Sequence, residues 1–213
     1  LIKGLLWDND GVLVDTERFF FEVNRDLFRE HGIELTERQF LDWYLRDNCG
    51  AWHLIDGVTP EMIVARRADR DVMYSARLAA ESIQPLAGVD AVLAHVGARV
   101  PMGVVTSARR DHFNLIHGGL DLLRHFQFVL TSDDYAATKP SPEPYLRGLE
   151  RLGVNAQDCL VVEDSPRGLQ AANAAGIACI VLRHPLTREH SFDGAYRVVD
   201  SMAELQAEIN ALL

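Results

Sequence analysis

The sequence predicts an α/β fold, a doubly wound parallel sheet with an α-helical bundle inserted after its first strand. Most of the predicted strands are short continuous apolar runs, such as Cys159-Leu160-Val161-Val162, as expected of strands buried on both faces. From residue 85 onward such runs alternate with helical segments, the pattern of parallel strands joined by crossover helices. Between the first strand and that alternation, residues 17–84 read as helix alone. At 213 residues the chain exceeds one small core and falls short of two full domains. The expected division is a core of residues 1–16 and 85–213 carrying a helical cap of residues 17–84.

The opening strand ends in Leu5-Leu6-Trp7, and Asp8 and Asp10 follow it. If the chain stayed extended, both carboxylates would point to one face, because strand side chains alternate. Residues 11–16 should form a turn and short hairpin beginning at Gly11. Thr16 then caps a helix whose Phe19, Phe20, Val23 and Leu27 share a face, and Gly32 stops it. Thr36-Glu37-Arg38-Gln39 is a capping box opening a second helix, and Thr59-Pro60-Glu61 opens a third with proline at its first position.

After the linker Gln84-Pro85-Leu86-Ala87-Gly88 come a short helix over 89–96 and an apolar strand over 100–106. Next are a helix over 108–117, a strand over 126–131, and a helix over 142–152 with Ser141 as its cap and Gly153 as its stop. A strand over 159–162, a helix over 166–175 stopped by Gly176, and a strand over 177–182 continue the alternation. A short strand over 197–199 and a helix opened by Ser201-Met202-Ala203-Glu204 end it.

Charge and composition exclude several classes of partner. The formal net charge is −10, and the 21 Lys and Arg residues are scattered, so the chain has no basic footprint for nucleic acid or an anionic membrane surface. No apolar run approaches the length of a membrane span, and the opening seven residues are too short for a signal sequence. The sequence lacks an initiator Met, so the natural start is expected slightly upstream. Cys49, Cys159 and Cys179 lie far apart, without CxxC or zinc-ligand spacing, which suits a reduced cytoplasm. A monomer is expected.

In open α/β sheets ligands bind beyond the carboxyl ends of the strands. Four such ends, or the loops they feed, carry reactive residues: Asp8 with Asp10, Thr106, Lys139, and Glu163 with Asp164. Nothing structural asks for two acids at the end of an apolar strand, and like charges that close call for a cation between them. Lys139 stands out by scarcity, since Lys3 is the chain's only other lysine. A carboxylate nucleophile, a second carboxylate to move protons, a hydroxyl and an ammonium around a phosphoryl group, and further acids for a divalent cation together make a phosphoryl-transfer site.

Taken in order, Trp7-Asp8-Asn9-Asp10-Gly11-Val12-Leu13-Val14-Asp15-Thr16, Val104-Val105-Thr106-Ser107, Lys139-Pro140-Ser141-Pro142-Glu143 and Val161-Val162-Glu163-Asp164-Ser165-Pro166-Arg167-Gly168 resemble the haloacid dehalogenase superfamily. The match is to its magnesium-dependent phosphatase and phosphomutase branch, with a helical cap after the first motif. The resemblance implies that Asp8 attacks phosphorus to form an aspartyl phosphate and that Asp10 protonates the leaving oxygen, then deprotonates water. It implies Mg2+ held by Asp8, the carbonyl of Asp10 and Asp164, with Glu163 a direct or water-mediated ligand. Thr106 and the backbone amides near Gly11 and Ser107 would hold the phosphoryl oxygens, and Lys139 would offset their charge. The helix expected to start near Ala108 would add its positive end.

Asn9 departs from the family, which usually has an apolar residue there, and it is expected to face away from the phosphoryl group. Asp10 argues against the dehalogenases, and the lack of lysine between Lys3 and Lys139 argues against the phosphonatases. Where β-phosphoglucomutases have a histidine and an arginine, this chain has Phe20 and Cys49, so hydrolysis is favoured over mutase-like transfer. A receiver domain would lack the insertion and Asp10, and a silent binding protein should have lost a motif acid. The resemblance implies a small phosphorylated metabolite as substrate, and within the cap Arg18, Arg46, Asn48, Trp52 and His53 are the candidates for contact with it.

Overall fold

The computed structural model describes residues 1–213. Its centre is one six-stranded parallel sheet of β1 (Gly4–Trp7), β2 (Met102–Val105), β3 (Phe128–Leu130), β4 (Cys159–Glu163), β5 (Ala178–Leu182) and β6 (Arg197–Val199). The spatial order is β3-β2-β1-β4-β5-β6, so β1 lies between β2 and β4 at the point where the winding reverses. That is the switch point at which a doubly wound sheet opens a crevice.

β1 shows why these strands read as unbroken apolar runs. Leu5 and Trp7 enter one core with Val89, Val92 and Val96 of α4 (Val89–Gly97) and with Leu205 and Ile209 of α8 (Met202–Leu212). Leu6, pointing the other way, packs with Tyr145 and Leu149 of α6 (Glu143–Leu152) and with Leu169 and Ala172 of α7 (Pro166–Ala174). Gly148 lets α6 lie close on the sheet, since a Cβ there would come within 2.6 Å of Leu6 Cδ1. At roughly 1.5–3 kcal/mol per fully buried large apolar side chain, these two layers are the main drive for folding.

The main helices between β1 and the crossing at Pro85 are α1 (Glu17–Arg29), α2 (Glu37–Phe40), which runs on as a π-helical stretch at Leu41–Arg46, and α3 (Pro60–Ala80). Phe21, Phe28, Phe40, Tyr44 and Trp52 form an apolar cluster of their own. Phe19, Val23, Tyr74 and Leu78 pack on Ile116 of α5 (Arg110–His117), which ties the segment to the sheet layer. The two chain crossings lie side by side, with Val14 and Pro85 in an antiparallel bridge and Leu86 N donating to Leu13 O at 2.9 Å. No helix is long and apolar enough to cross a membrane.

Several expected details change. Thr16 precedes α1 but makes no side-chain cap; its hydroxyl donates to Asp10 instead. The helix expected from residue 108 starts at Arg110, with the Arg110 amide donating to Asp133 Oδ2 at 2.7 Å. Ser201 caps α8 by accepting from Glu204 N, but the returning arm of the box goes one residue astray, Glu204 Oε2 accepting from Asp200 N. The capping box at Thr36 and the cap at Thr59 form as expected.

Candidate active site

β1 ends at Trp7, and the next residue places Asp8 at the mouth of the crevice, its amide donating to Val162 O of β4 at 2.9 Å. The buried ammonium of Lys139 donates to Asp8 Oδ1 at 2.7 Å, to Val105 O at 2.9 Å and to Glu163 Oε1 at 2.7 Å. Three acceptors match three N–H donors, which is the use a compact ammonium has over a guanidinium fork. Tyr145, whose ring lies under the same ammonium at 4.8 Å, donates its hydroxyl to Glu163 Oε1 at 2.5 Å. The other Glu163 oxygen accepts from the amides of Asp164 and Ser165 and from the Ser165 hydroxyl. Both oxygens of Glu163 are thus already engaged in holding Lys139 and the start of α7.

Carboxylate oxygens of Asp8, Glu163 and Asp164 all lie within 4.8 Å of one another. Burial, and next the charge of Glu163, push the Asp8 carboxyl up to about 7 in spite of Lys139. Burial and the neighbouring Glu17, Asp8 and Glu163 hold Asp164 well above the ordinary carboxylate range. Glu163 goes down, because Lys139 and the hydrogen bonds outweigh its burial. Asp164 Oδ2 is buried with no partner. Hard oxygen donors that repel one another around an orphaned carboxylate oxygen fit a divalent cation such as Mg2+.

The Asp10 carboxylate stands outside that trio. It accepts from the Thr16 hydroxyl, from Thr106 Oγ1 at 3.4 Å and from Asn9 Nδ2 at 3.3 Å. Thr106 is fully buried, and its oxygen also accepts the Ala108 amide at 3.0 Å. Ser107 lines the crevice, and its Oγ is buried without a partner.

The crevice is a cavity of about 360 Å3 between the strand ends and the helical segment. It brings Asp8, Asp10, Ser107, Lys139 and Asp164 together with Asn48 and Trp52, and Phe20 and Cys49 also line it. Asn48 crosses from the helical segment to the core, its Nδ2 donating to Lys139 O at 3.2 Å and to Thr138 Oγ1 at 3.3 Å. Its Oδ1 accepts from Arg167 at 2.9 Å.

Three cap candidates are not brought to the cavity. Arg46 folds back on Asp42 and Asp47 at 2.8 Å each. His53 is exposed, edge-on to Trp43, and Arg18 is exposed over the Phe19 ring. Gly11 also differs from expectation, since its amide donates to Val14 O at 2.8 Å and is not free for an anion. The helix end near Ala108 is likewise taken, by Asp133.

Sequence reasoning missed Glu17, Arg67, Arg70 and Arg167, which all line the cavity. Burial and the nearby Asp10 push Glu17 up to about 8. Adjacency to Thr16 was the one available signal for Glu17; Arg67 and Arg70 look like ordinary surface residues of a long helix.

Comparison with known proteins gives the family. The haloacid dehalogenase-like hydrolase family matches residues 5–182. The chain is 30% identical to protein CbbY of Cupriavidus necator over 95% of its own length and 87% of that protein. It is 28% identical to the fructose-1-phosphate phosphatase YqaB of Escherichia coli, over 84% of this chain and 96% of that one. The crystal structure of CbbY from Rhodobacter sphaeroides in complex with phosphate superposes with a TM-score of 0.80 at 27% identity, covering 96% of each chain. The match spans the first strand through β5 and so includes every acid of the site: the chain belongs to the haloacid dehalogenase-like hydrolase family.

Proposed function

We propose that the protein is a magnesium-dependent phosphatase that hydrolyses a small phosphate monoester, a sugar phosphate or phosphorylated acid, through an aspartyl phosphate on Asp8. One observation carries the reading: Asp8 is held by buried Lys139 and shares an acidic trio with Asp164, whose buried Oδ2 has no partner. Asp8, the Asp10 carbonyl and Asp164 would hold Mg2+, which when bound supplies charge neutralisation for the nucleophile and the phosphoryl oxygens. Glu163 serves by fixing Lys139.

In the first half-reaction an Asp8 oxygen bonds to phosphorus as the bond to the ester oxygen breaks, and Asp10 gives that oxygen a proton. In the second, Asp10 takes a proton from water, which attacks the aspartyl phosphate and frees Asp8. Residues 17–84 act as a cap that excludes water during transfer. Names of relatives support a phosphorylated sugar: the YqaB protein is called a fructose-1-phosphate phosphatase, and a CbbY structure holds xylulose-1,5-bisphosphate. Arg67 and Arg70 in the cavity wall would suit the anionic or hydroxylated part of such a substrate. The three unpaired cysteines fit a cytoplasmic setting.

The test is release of inorganic phosphate from a panel of monoesters with and without magnesium, beside Asp8→Asn and Asp10→Asn. Magnesium-independent release, or an Asp8→Asn variant as fast as the parent, would refute the mechanism.

A further inference from the structure

We propose that Asn9, oriented by His117, is a positioning residue that fixes the Asp10 carboxylate for its proton transfers. The role rests on the phosphatase reading and extends it to Asn9 and His117.

Asn9 is fully buried between the two acids. Its Oδ1 lies 2.7 Å from His117 Nε2, and its Nδ2 donates to Asp10 Oδ2 at 3.3 Å. Which end of the amide faces Asp10 is decided by the imidazole. His117 sits on α5, buried and stacked on Phe113 with ring centroids 4.3 Å apart. Burial lowers its pKa to about 4, so at neutral pH it carries a single N–H.

His117 Nδ1 is buried and without a partner. Placing the N–H there would strand a buried donor and turn a lone pair toward the Asn9 oxygen, so the hydrogen belongs on Nε2. The Asn9 oxygen accepts it, and the NH2 end is left for Asp10. An inverted amide would set oxygen against oxygen at the Asp10 end.

The main chain of Asn9 is anchored independently of its side chain. Its carbonyl accepts the amides of Val12, Leu13 and Val14 at 3.3, 2.8 and 3.3 Å. Asp10 Oδ1 receives the Thr16 hydroxyl, while Oδ2 receives Asn9 and Thr106. Of these three donors Asn9 is the one tied back to His117 on α5. Asn9 neither gives nor takes a proton; the proton moves between Asp10 and the ester oxygen or water.

The test compares Asn9→Leu, His117→Phe, His117→Gln and the Asn9→Leu/His117→Phe double variant on two esters: an alkyl phosphate, whose leaving oxygen needs a proton, and 4-nitrophenyl phosphate, whose leaving group does not. Asn9→Leu and His117→Phe should lower kcat/KM on the alkyl ester, which reports formation of the aspartyl phosphate, by about tenfold or more, and affect kcat/KM on the nitrophenyl ester much less; loss in the water step, common to both esters, falls on kcat alike. His117→Gln, which places an N–H where Nε2 stood, should restore alkyl ester turnover. The double variant removes donor and acceptor together, so its melting temperature should recover while alkyl ester turnover does not. Equal losses of kcat/KM on both esters, or none on the alkyl ester, would overturn the proposal.

Nitrogen chemical shifts of His117 read the tautomer without any turnover, and a hydrogen on Nδ1 would also overturn it. A parent protein inert to both esters whose His117 carries Nε2–H would instead refute the hydrolase reading, and with it the role given to Asp10.

Discussion

Gly11 makes room for the Asp164 carboxylate: a Cβ on Gly11 would lie 2.1 Å from Asp164 Oδ2. Gly11 also has φ +78°, in the left-handed region that side chains avoid. Gly11→Ala should therefore cost about 1–2 kcal/mol in backbone strain alone and displace the orphaned carboxylate as well. The expected outcome is weaker magnesium binding by titration calorimetry together with a modest fall in melting temperature. Full metal affinity in Gly11→Ala would show that Asp164 has no role in holding the cation.

Lys139 neutralises two carboxylates that cannot both stay ionised without it. In Lys139→Met the Asp8 and Glu163 charges lose their common partner, and removing one member of a buried ion pair costs roughly 3–5 kcal/mol. Chemical denaturation should show a loss of that order, with activity abolished. Lys139→Arg should not restore activity, because a planar fork cannot reach Asp8 Oδ1, Val105 O and Glu163 Oε1 from one point. An active Lys139→Arg variant would mean that charge alone suffices.

These two positions also show what could be read from sequence. Asp8, Asp10, Glu163 and Asp164 were legible because buried strands have no structural use for acids at their ends, and Lys139 because the chain has only two lysines. Tyr145 and Glu17 were not, since each owes its place to a tertiary contact: the Tyr145 hydroxyl on Glu163, and the Glu17 side chain beside Asp10. Arg46 failed for the opposite reason. Its partners Asp42 and Asp47 are local, and a local ion pair on a helical turn is satisfied before any substrate arrives. Thr16 reads as a helix cap by residue type, but the nearby Asp10 carboxylate is the better acceptor for its hydroxyl.

Asn48 links the helical segment to the loop that carries Lys139. Its φ of +53° is left-handed, so Asn48→Gly keeps the backbone conformation and removes only the contacts to Thr138, Lys139 and Arg167. The variant should raise KM, corresponding to about 1–2 kcal/mol for the lost hydrogen bonds, with a smaller effect on overall stability. Hydrogen exchange should quicken in residues 17–84 while the sheet remains protected. Unchanged KM and exchange would mean that the apolar packing and the other crossing contacts, such as Arg109 with Asp71 and Arg38 with Glu189, hold the segment closed without Asn48.

Stability should fall as pH rises from 6.5 to 8 when chelator keeps the protein free of metal. The sign follows from proton binding: Asp8 at about 7, Glu17 at about 8 and Asp164 well above its ordinary value keep protons in the folded chain that the unfolded chain has already lost. With fewer protons bound in the unfolded state, the free energy of unfolding decreases with pH until these groups ionise. His117 acts in the opposite direction, its folded pKa of about 4 lying below the ordinary 6.5, but most of its effect lies below pH 6.5. Glu163 is depressed, so its contribution is present above the ordinary carboxylate value and is lost only in acid. Magnesium competes with protons for Asp8 and Asp164, so adding it should stabilise the fold more at pH 8 than at pH 6.5 and flatten or reverse the slope. Denaturation curves in chelator and in magnesium across this range check both parts. A metal-free protein whose stability is level or rises with pH would mean that the acidic trio is solvated and carries no frustrated charge.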